Sequence, residues 1–319
     1  MLLLLLACGG LRVSQPRVTP PSLSITATPI APPSVSGGLQ PEGAWVLTRS
    51  DGDWDPLGMK GRCRRSLADF GGYSGLAWDG ASLLAASDRG HLLWFRLTDD
   101  AIHSAQMATL SACGAEAVRP EGDDLWIVYE ESERVERYHP DRGTLERDVG
   151  WQSGLTYLAP NEGMESMAVL PDGRRLLLAS GPVAEAPSGS TAGRLFSATG
   201  QLLATLSYPL PSEDGIPYTP TELAMTSDGR LLLLERSWHD RQNRARIAEI
   251  PLSQLTDGAV LSPVLLARLG PTQPIDNMEG MAIEPRPDGD RLWLISDDNP
   301  QASTGQRVLL FSFRLEGTQ

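Results

Sequence analysis

The chain has no apolar run long enough to cross a bilayer, and it has little positive charge. No stretch approaches the ~20 consecutive apolar residues of a transmembrane helix. The 27 Lys and Arg residues are outnumbered by 40 Asp and Glu residues, which gives a formal net charge of −13. Because a nucleic-acid partner requires a basic face, none is expected. The acidic excess suits cation binding, or simple solubility.

Motifs of several enzyme classes are also missing. The four His residues do not have zinc-site spacing, and there is no Gly-x-Ser-x-Gly nucleophile elbow, P-loop or dinucleotide-binding fingerprint. Cysteine is scarce, and Cys63 and Cys113 are the two that lie in the body of the chain. They either pair in an oxidising compartment or stay as separate buried thiols, because sequence does not place their Cα atoms within bonding range.

The N-terminal region predicts export. The segment Leu5–Gly9 resembles a bacterial lipobox, so residues 1–10 are predicted to be a signal segment lipidated at Cys8. Residues 11–41 are rich in Pro, Ser and Thr and contain no acidic residue, so they are predicted to form a disordered, solvated tether. The protein would then be periplasmic or held at the cell envelope, and would touch a membrane only through that anchor.

Residues 42–319 contain one sequence pattern five times. An acidic or small polar residue opens a short strand, a turn with Asp and Gly follows, and an apolar strand comes next. The repeats start 42, 49, 57 and 57 residues apart, at Ser74, Glu116, Glu165, Glu222 and Glu279. Self-similarity with a period of about 40–50 residues and several short strands is typical of β-propeller blades.

The predicted fold is an all-β propeller with five blades. The second strand of each repeat is a nearly continuous apolar run, as expected where both faces pack against neighbouring blades. The fifth repeat lacks a fourth strand at the C-terminus, and Trp45–Thr48 could supply it by closing the ring as the outer strand of the last blade. A sixth blade within residues 42–70 is the alternative.

The repeat alignment makes two sets of carboxylates equivalent, and equivalent positions of a propeller meet around one axis. The sets open the first strands and close the second strands: Glu116, Glu165, Glu222 and Glu279, then Asp88, Glu130, Glu235 and Asp297. Clustered carboxylates repel each other unless protons or a cation neutralise them, and Ca²⁺ prefers such oxygen ligands. The alternative is structural, with the acids capping backbone N–H groups or pairing with Arg between blades.

Two arginines directly follow carboxylates of the second set. Arg89 and Arg236 would neutralise these acids or bind an anionic substrate bidentately. The candidate catalytic residues are Asp88, Arg89, Glu165, Arg236 and Glu279. The candidate metal ligands are Asp88, Glu116, Glu165, Glu222, Glu235, Glu279, Asp297 and Asp298.

Several of these segments together resemble a bacterial family known as esterase-like activity of phytase. The resemblance covers roughly residues 70–315 and is carried by Ser74–Ala77 with Ser87–Gly90, Glu165–Ala168, Leu234–Arg236 with Asn243–Ile247, and Asn277–Ala282 with Ser296–Asn299. The second repeat departs from the pattern, because Ala117 follows Glu116 where Gly is usual. The resemblance implies an exported β-propeller, loosely linked to calcium-dependent phytases, with hydrolase activity.

Two functional hypotheses follow. The first is an exported, monomeric, metal-assisted hydrolase, with Ca²⁺ as the expected ion, that acts on a small anionic or ester substrate as an esterase or phosphoesterase. The second is a non-catalytic propeller at the cell envelope that binds a ligand, a glycan or a protein.

Overall fold

The computed structural model describes residues 23–49, 70–110, 112–130, 134–139, 144–146, 154–158, 162–271, 274–299 and 306–315. Five antiparallel sheets follow one another along this part of the chain, and each forms one blade. The first strands of neighbouring blades contact each other in cyclic order, and the first strand of the fifth blade contacts that of the first. The ring is therefore closed, and the predicted five-bladed propeller is confirmed.

Blades 1 to 3 have four strands each, in order from the innermost outwards. Blade 1 contains Tyr73–Trp78, Leu83–Ser87, His91–Thr98 and Ala101–Thr109. Blade 2 contains Ala115–Glu121, Asp124–Tyr129, Arg134–His139 and Thr144–Glu146. Blade 3 contains Met164–Val169, Arg175–Ala179, Ser190–Phe196 and Leu202–Pro209.

Blades 4 and 5 each take strands from the N-terminal segment. Blade 4 contains Thr219–Met225, Leu231–His239, Gln242–Ile250, Val264–Leu269 and Ser36–Gly37. Blade 5 contains Asn277–Glu284, Arg291–Asp297, Leu309–Leu315, Leu39–Arg49 and Ile25–Pro29. A small hairpin, Ser212–Glu213 with Ile216–Pro217, precedes blade 4, and a 3₁₀ helix, Leu252–Gln254, follows its third strand.

The N-terminal strand closes the ring as predicted. Leu39–Arg49 pairs with the last strand of the chain, from Leu309 opposite Val46 to Leu315 opposite Leu39. The first and last strands of the described chain therefore lie in the same sheet, in blade 5.

The prediction of a solvated tether up to residue 41 is wrong for the described part of that segment. Ile25–Pro29 pairs with the N-terminal strand of blade 5, and Ser36–Gly37 pairs with blade 4. The side chains of Leu23, Ile25 and Ala27 are buried, which is the period of two expected for a strand with one face on a core. A composition rich in Pro, Ser and Thr hid this alternation. Residues 11–22 and the predicted lipidation site Cys8 lie outside the described residues.

Apolar side chains fill the spaces between blades. The run Leu231–Leu234 in the second strand of blade 4 is fully buried, which confirms that both faces of this strand are covered. Cys113, just before the first strand of blade 2, is disulfide-bonded, while Cys63 lies outside the described residues. In the described part of the chain, no helix has the length and apolar character needed to span a membrane.

The innermost strands approach each other so closely that only glycine fits at Gly280. A Cβ atom there would lie 2.7 Å from Ile295 Cγ2 and 2.8 Å from Leu76 Cβ. We expect Gly280→Ala to lower the free energy of unfolding by about 1–3 kcal/mol, because the added methyl overpacks the centre. Chemical denaturation measures this change. Gly38→Ala is the control, since nothing lies within 4 Å of a Cβ at that position; equal stability of the two variants would contradict the packing described.

Candidate functional site

Each innermost strand contains a β-bulge near its start, and the bulge leaves one residue without a partner on the second strand. The five residues are Ser74, Glu116, Glu165, Thr221 and Glu279. A bulge redirects a side chain out of the regular pleat. Because the five strands surround one axis, the bulges bring these residues together at one end of the central channel.

The residue that follows the paired position on each second strand forms a second set at the same end. These residues are Asp88, Glu130, Ser180, Arg236 and Asp297. The two sets together contain six carboxylates and one arginine, and we call them the channel-end cluster: Asp88, Glu116, Glu130, Glu165, Arg236, Glu279 and Asp297.

The structure corrects the repeat alignment in blade 4, which was one residue out of register. Glu222 lies one position after the bulge, where the other blades have Gly75, Ala117, Ser166 and Gly280, and Thr221 takes the bulge position. Likewise, Glu235 pairs with Pro220, so that Arg236 and not Glu235 occupies the cluster position. A shift of one residue turns a side chain to the other face of its strand.

Glu235 therefore lies outside the cluster, although it was a predicted metal ligand. Its carboxylate is fully buried, accepts a hydrogen bond from the Tyr208 hydroxyl, and lies 2.7 Å from Arg246 Nε. This contact joins the outer strand of blade 3 to the second and third strands of blade 4. This role is structural, as in the alternative interpretation, although the paired Arg246 lies in the same blade and the contact between blades is made by Tyr208.

Glu222 also has a different role from the predicted one, since it pairs with Arg119 in the middle of the channel. Arg119 Nη2 donates to Glu222 and to the Leu223 carbonyl, and Nε donates to the Met167 carbonyl at 2.6 Å. Nη1 donates to the carbonyls of Leu76, at 3.0 Å, and Val118. All five donors of the guanidinium are thus satisfied by blades 1 to 4. The pair closes the channel below the cluster.

The predicted site residues Arg89 and Asp298 bind each other beside the cluster. Arg89 Nη2 lies 2.6 Å from Asp298 Oδ1, and Arg89 Nη1 donates to the Phe70 carbonyl at 2.6 Å. The same Asp298 oxygen accepts a hydrogen bond from the Gly72 amide at 2.8 Å. The Arg89 side chain is 3% exposed. The pair fastens blade 5 to the loop that enters blade 1.

Glycine at position 72 lets that loop close over Asp88. Gly72 has a φ of +64°, and a Cβ there would lie 2.0 Å from Asp88 Oδ1. The loop backbone therefore forms one wall of the cluster, in direct contact with a predicted metal ligand.

Burial raises the pKa values of the cluster carboxyls. It raises the pKa of Glu165 to about 8, that of Glu279 to about 7 and that of Asp297 to about 6. Neighbouring carboxylates raise each of these values further, while Arg236 lowers those of Glu165 and Glu279. The pKa of Glu116 is also raised, by burial and by Glu165. The six carboxyl groups of the cluster outnumber its one arginine, so Arg236 alone does not neutralise them.

Arg236 is the cation of the cluster that also reaches solvent. Its Nε lies 3.1 Å from Glu279 Oε1, and 29% of its side chain is exposed. The same Glu279 oxygen accepts a hydrogen bond from Asn277 Nδ2 at 2.7 Å, and Ser74 also donates to the Glu279 carboxylate. Glu279 is therefore held in place from three sides. Arg236 lies among carboxylates, and Glu279, Glu165, Asp297 and Glu116 all raise its pKa.

The oxygen-only donor set fits a hard cation such as Ca²⁺, which takes six to eight oxygen ligands at about 2.3–2.6 Å. However, among the described residues, no three His, Cys, Asp or Glu side chains stand in a metal-binding arrangement. The chemistry of the cluster therefore suits calcium, and binding would require its carboxylates to draw closer together.

Sequence reasoning missed several members of the site. Ser74 was recognised as the start of the first repeat but, having no charge, was not named as a site residue, and Thr221 was not recognised at all, although both occupy bulge positions. Glu130 was visible at the end of its strand and belongs with Asp88 and Asp297, as the alignment indicated. Asn277, which orients Glu279, lies in the segment Asn277–Ala282 that carries part of the family resemblance, but it was not named as a site residue.

Solved propellers resemble this chain in fold. Glutaminyl cyclase from Myxococcus xanthus is 16% identical, with a TM-score of 0.42, over 78% of this chain and 92% of that one. Endo-arabinase from Bacteroides thetaiotaomicron is 8% identical, with a TM-score of 0.49, over 79% and 96%. A putative oxidoreductase (glucose dehydrogenase) from Thermus thermophilus is 13% identical, with a TM-score of 0.43, over 76% and 97%. Likeness at this level carries no functional inference.

No curated protein matches the chain significantly. The model of the Phytase-like family, described as esterase-like activity of phytase, matches residues 68–300. This span contains the whole channel-end cluster and all five innermost strands. The chain therefore belongs to the Phytase-like family and is, at family level, a hydrolase-type β-propeller.

Proposed function

We propose that the channel-end cluster hydrolyses a small ester or phosphoester with the help of a bound cation, Ca²⁺ being the ion that suits its donors. The observation that carries this proposal is the convergence of six carboxylates with one partly exposed arginine at a single end of a closed channel. Elsewhere in this propeller a buried carboxyl has an arginine of its own, as Glu222 has Arg119 and Glu235 has Arg246. The cluster has one arginine for six carboxyls.

The cluster divides into two sides with different tasks. Asp88 and Asp297 both raise the pKa of Glu279, and Asp88 also raises that of Asp297, so these carboxylates of blades 1 and 5 lie near one another. They would hold the cation. Bound there, Ca²⁺ would polarise the ester or phosphoryl oxygen and orient a water molecule. Arg236, next to Glu279 and open to solvent, would bind the anionic group of the substrate.

The other side of the cluster can hold a proton at neutral pH. Glu165 is buried beside Glu116 and Glu130, and its raised pKa of about 8 keeps it protonated at pH 7. A protonated carboxyl in this position would donate its proton to the leaving group as a general acid. The Arg119–Glu222 pair below would separate the cluster from the pocket at the other end of the innermost strands, which Arg119 lines. Export, a lipid anchor at Cys8 and a monomeric state remain predictions that accompany this proposal.

Hydrolysis of p-nitrophenyl phosphate and p-nitrophenyl acetate with added Ca²⁺ tests the proposal. We expect Glu165→Gln to lower kcat by about 10²–10⁴-fold, because the Gln amide is not acidic enough to protonate a leaving group. Arg236→Met should raise KM for the phosphate more than for the acetate, since only the phosphate is anionic. Glu249→Gln is the matched control, because Glu249 lies in the third strand of blade 4, away from the cluster.

A folded wild-type protein that hydrolyses neither ester would contradict the proposal. It would favour the second hypothesis, a non-catalytic binding propeller, which the lack of a ready metal-binding arrangement among the described residues also supports.

A further inference from the structure

Among the described residues, the paired strands of one hairpin extend further beyond the channel-end cluster than those of the other blades. In blades 1, 2 and 3, the second strand ends one residue before the cluster position, and in blade 5 it ends at that position. In blade 4 the second strand continues for three residues beyond Arg236, up to His239, and stays paired with the third strand. At about 3.3 Å per residue, the hairpin rises about 10 Å above the cluster.

The hairpin has a tight turn and is hydrogen-bonded to blade 5. Its two turn residues, Asp240 and Arg241, both have positive φ values, of 50° and 60°, as in the tight type I′ turn that suits the twist of paired strands. Asn243 Nδ2 donates to Asp276 Oδ1 at 3.2 Å, and Asp276 also accepts a hydrogen bond from the Asn277 amide at 3.0 Å. The hairpin is thus fixed to the start of the strand that carries Glu279.

Trp238 lies on this hairpin, on the same face as Arg236. The strands pair residue for residue without a bulge, so that side chains two positions apart share a face. Arg236 points into the cluster and contacts Glu279, and Trp238 follows about 6.6 Å further up the strand. The indole therefore stands over the mouth of the site, on the side of the guanidinium.

Trp238 differs from the other tryptophans of the described chain, none of which is exposed. The indole N–H groups of Trp45, Trp126 and Trp293 each donate to a carboxylate, and these three side chains are buried. Trp238 is 51% exposed. About half of this large side chain is left in solvent, so part of its aromatic surface is available to stack on a flat ring.

We propose that Trp238 is a specificity-determining residue that stacks on an aromatic ring attached to the anion bound by Arg236, so that the site prefers aryl phosphoesters to alkyl phosphoesters. The inference rests on the proposed anion-binding role of Arg236. The hairpin sets the distance between the two contacts, because both residues lie on one strand. An alkyl phosphate would reach the guanidinium but leave the indole uncovered.

Isothermal titration with phenylphosphonate and methylphosphonate, which the protein does not hydrolyse, tests the inference without requiring activity. We expect the wild type to bind phenylphosphonate more tightly than methylphosphonate by about threefold to tenfold, the usual strength of one aromatic pair. Trp238→Ala should remove this preference and leave the methylphosphonate affinity unchanged. Trp238→Phe should keep most of it. Val260→Ala, which shortens another exposed apolar side chain, should change neither affinity.

The inference is overturned if the wild type shows no preference, if it binds neither phosphonate, or if Trp238→Ala keeps the preference. The proposed function fails separately. A wild type that prefers phenylphosphonate through Trp238 but hydrolyses no ester would support the stacking role of Trp238 and contradict the proposed hydrolase activity. A wild type that hydrolyses aryl and alkyl phosphoesters equally well, and binds both phosphonates equally, would support the hydrolase activity and contradict the stacking role.

Discussion

Replacing Arg119 by Met is expected to lower the free energy of unfolding by about 3–5 kcal/mol, the usual cost of removing one partner of a buried ion pair. Arg119 is 8% exposed and Glu222 is fully buried. The change would leave the Glu222 carboxyl without its cation and four carbonyls of the innermost strands without a donor. Urea denaturation followed by far-ultraviolet circular dichroism measures the loss.

The control for this change is Arg96→Met. Arg96 is exposed on blade 1, and its Nε donates to the Ala81 carbonyl at 2.9 Å. We expect its loss to cost within about 0.5 kcal/mol, as for most surface substitutions. Arg119→Met combined with Glu222→Gln should recover part of the stability, because the buried carboxyl is then neutral. If Arg119→Met is as stable as Arg96→Met, the pair does not hold the centre of the propeller together.

Raising the pH from 5 to 9 in the absence of calcium is expected to destabilise the protein. The folded-state pKa values of Glu165, Glu279 and Asp297 are raised to about 8, 7 and 6, above the ordinary values of 4.5 for Glu and 3.8 for Asp. The folded protein therefore binds these protons more tightly than the unfolded chain does. The stability they contribute is complete below the ordinary values and is lost as the pH rises through about 6 to 8.

Differential scanning calorimetry at several pH values checks this dependence. The melting temperature should fall across the interval by about 2–4 °C for each kcal/mol lost. Glu165→Gln combined with Glu279→Gln should make the fall smaller, because an amide does not titrate, whereas Glu249→Gln should not. Part of the fall should remain, because burial also raises the pKa of Glu222 to about 8. Calcium should restore stability more at pH 8 than at pH 5, since protons and the cation compete for the same carboxylates. A melting temperature that rises over this interval would contradict the raised pKa values.

The propeller could be predicted from sequence because its signals are local. Turns with Asp and Gly between short apolar strands recur along the chain, and each repeat shows its own strands. The apolar run of Trp45–Thr48 even identified the strand that closes the ring. Ile25–Pro29 escaped notice because Pro and Thr dominate its composition, and its pairing with residues about twenty positions away is not a local property.

The site was less predictable, because register and distant partners decide it. In blade 4, similarity aligned Glu222 with Glu279, but the position of the bulge puts Thr221 there and turns Glu222 towards Arg119. The pairing of Arg89 with Asp298 joins residues more than two hundred positions apart. The spacing of residues along the sequence predicts neither contact. Asp88, Glu116, Glu165, Glu279 and Asp297 were nevertheless identified, because each follows the repeat in its own blade. Arg236 was identified only as the residue after Glu235.

A crystal structure of the protein soaked with calcium and phosphate would show whether the channel-end cluster is the active site. We expect a cation among the carboxylates of Asp88, Glu279 and Asp297, and a phosphate that contacts the Arg236 guanidinium at the open end of the channel. Arg119 and Glu222 should keep their contacts below. A soaked crystal in which calcium and phosphate bind away from these side chains, with the cluster unchanged, would contradict the assignment of the channel-end cluster as the active site.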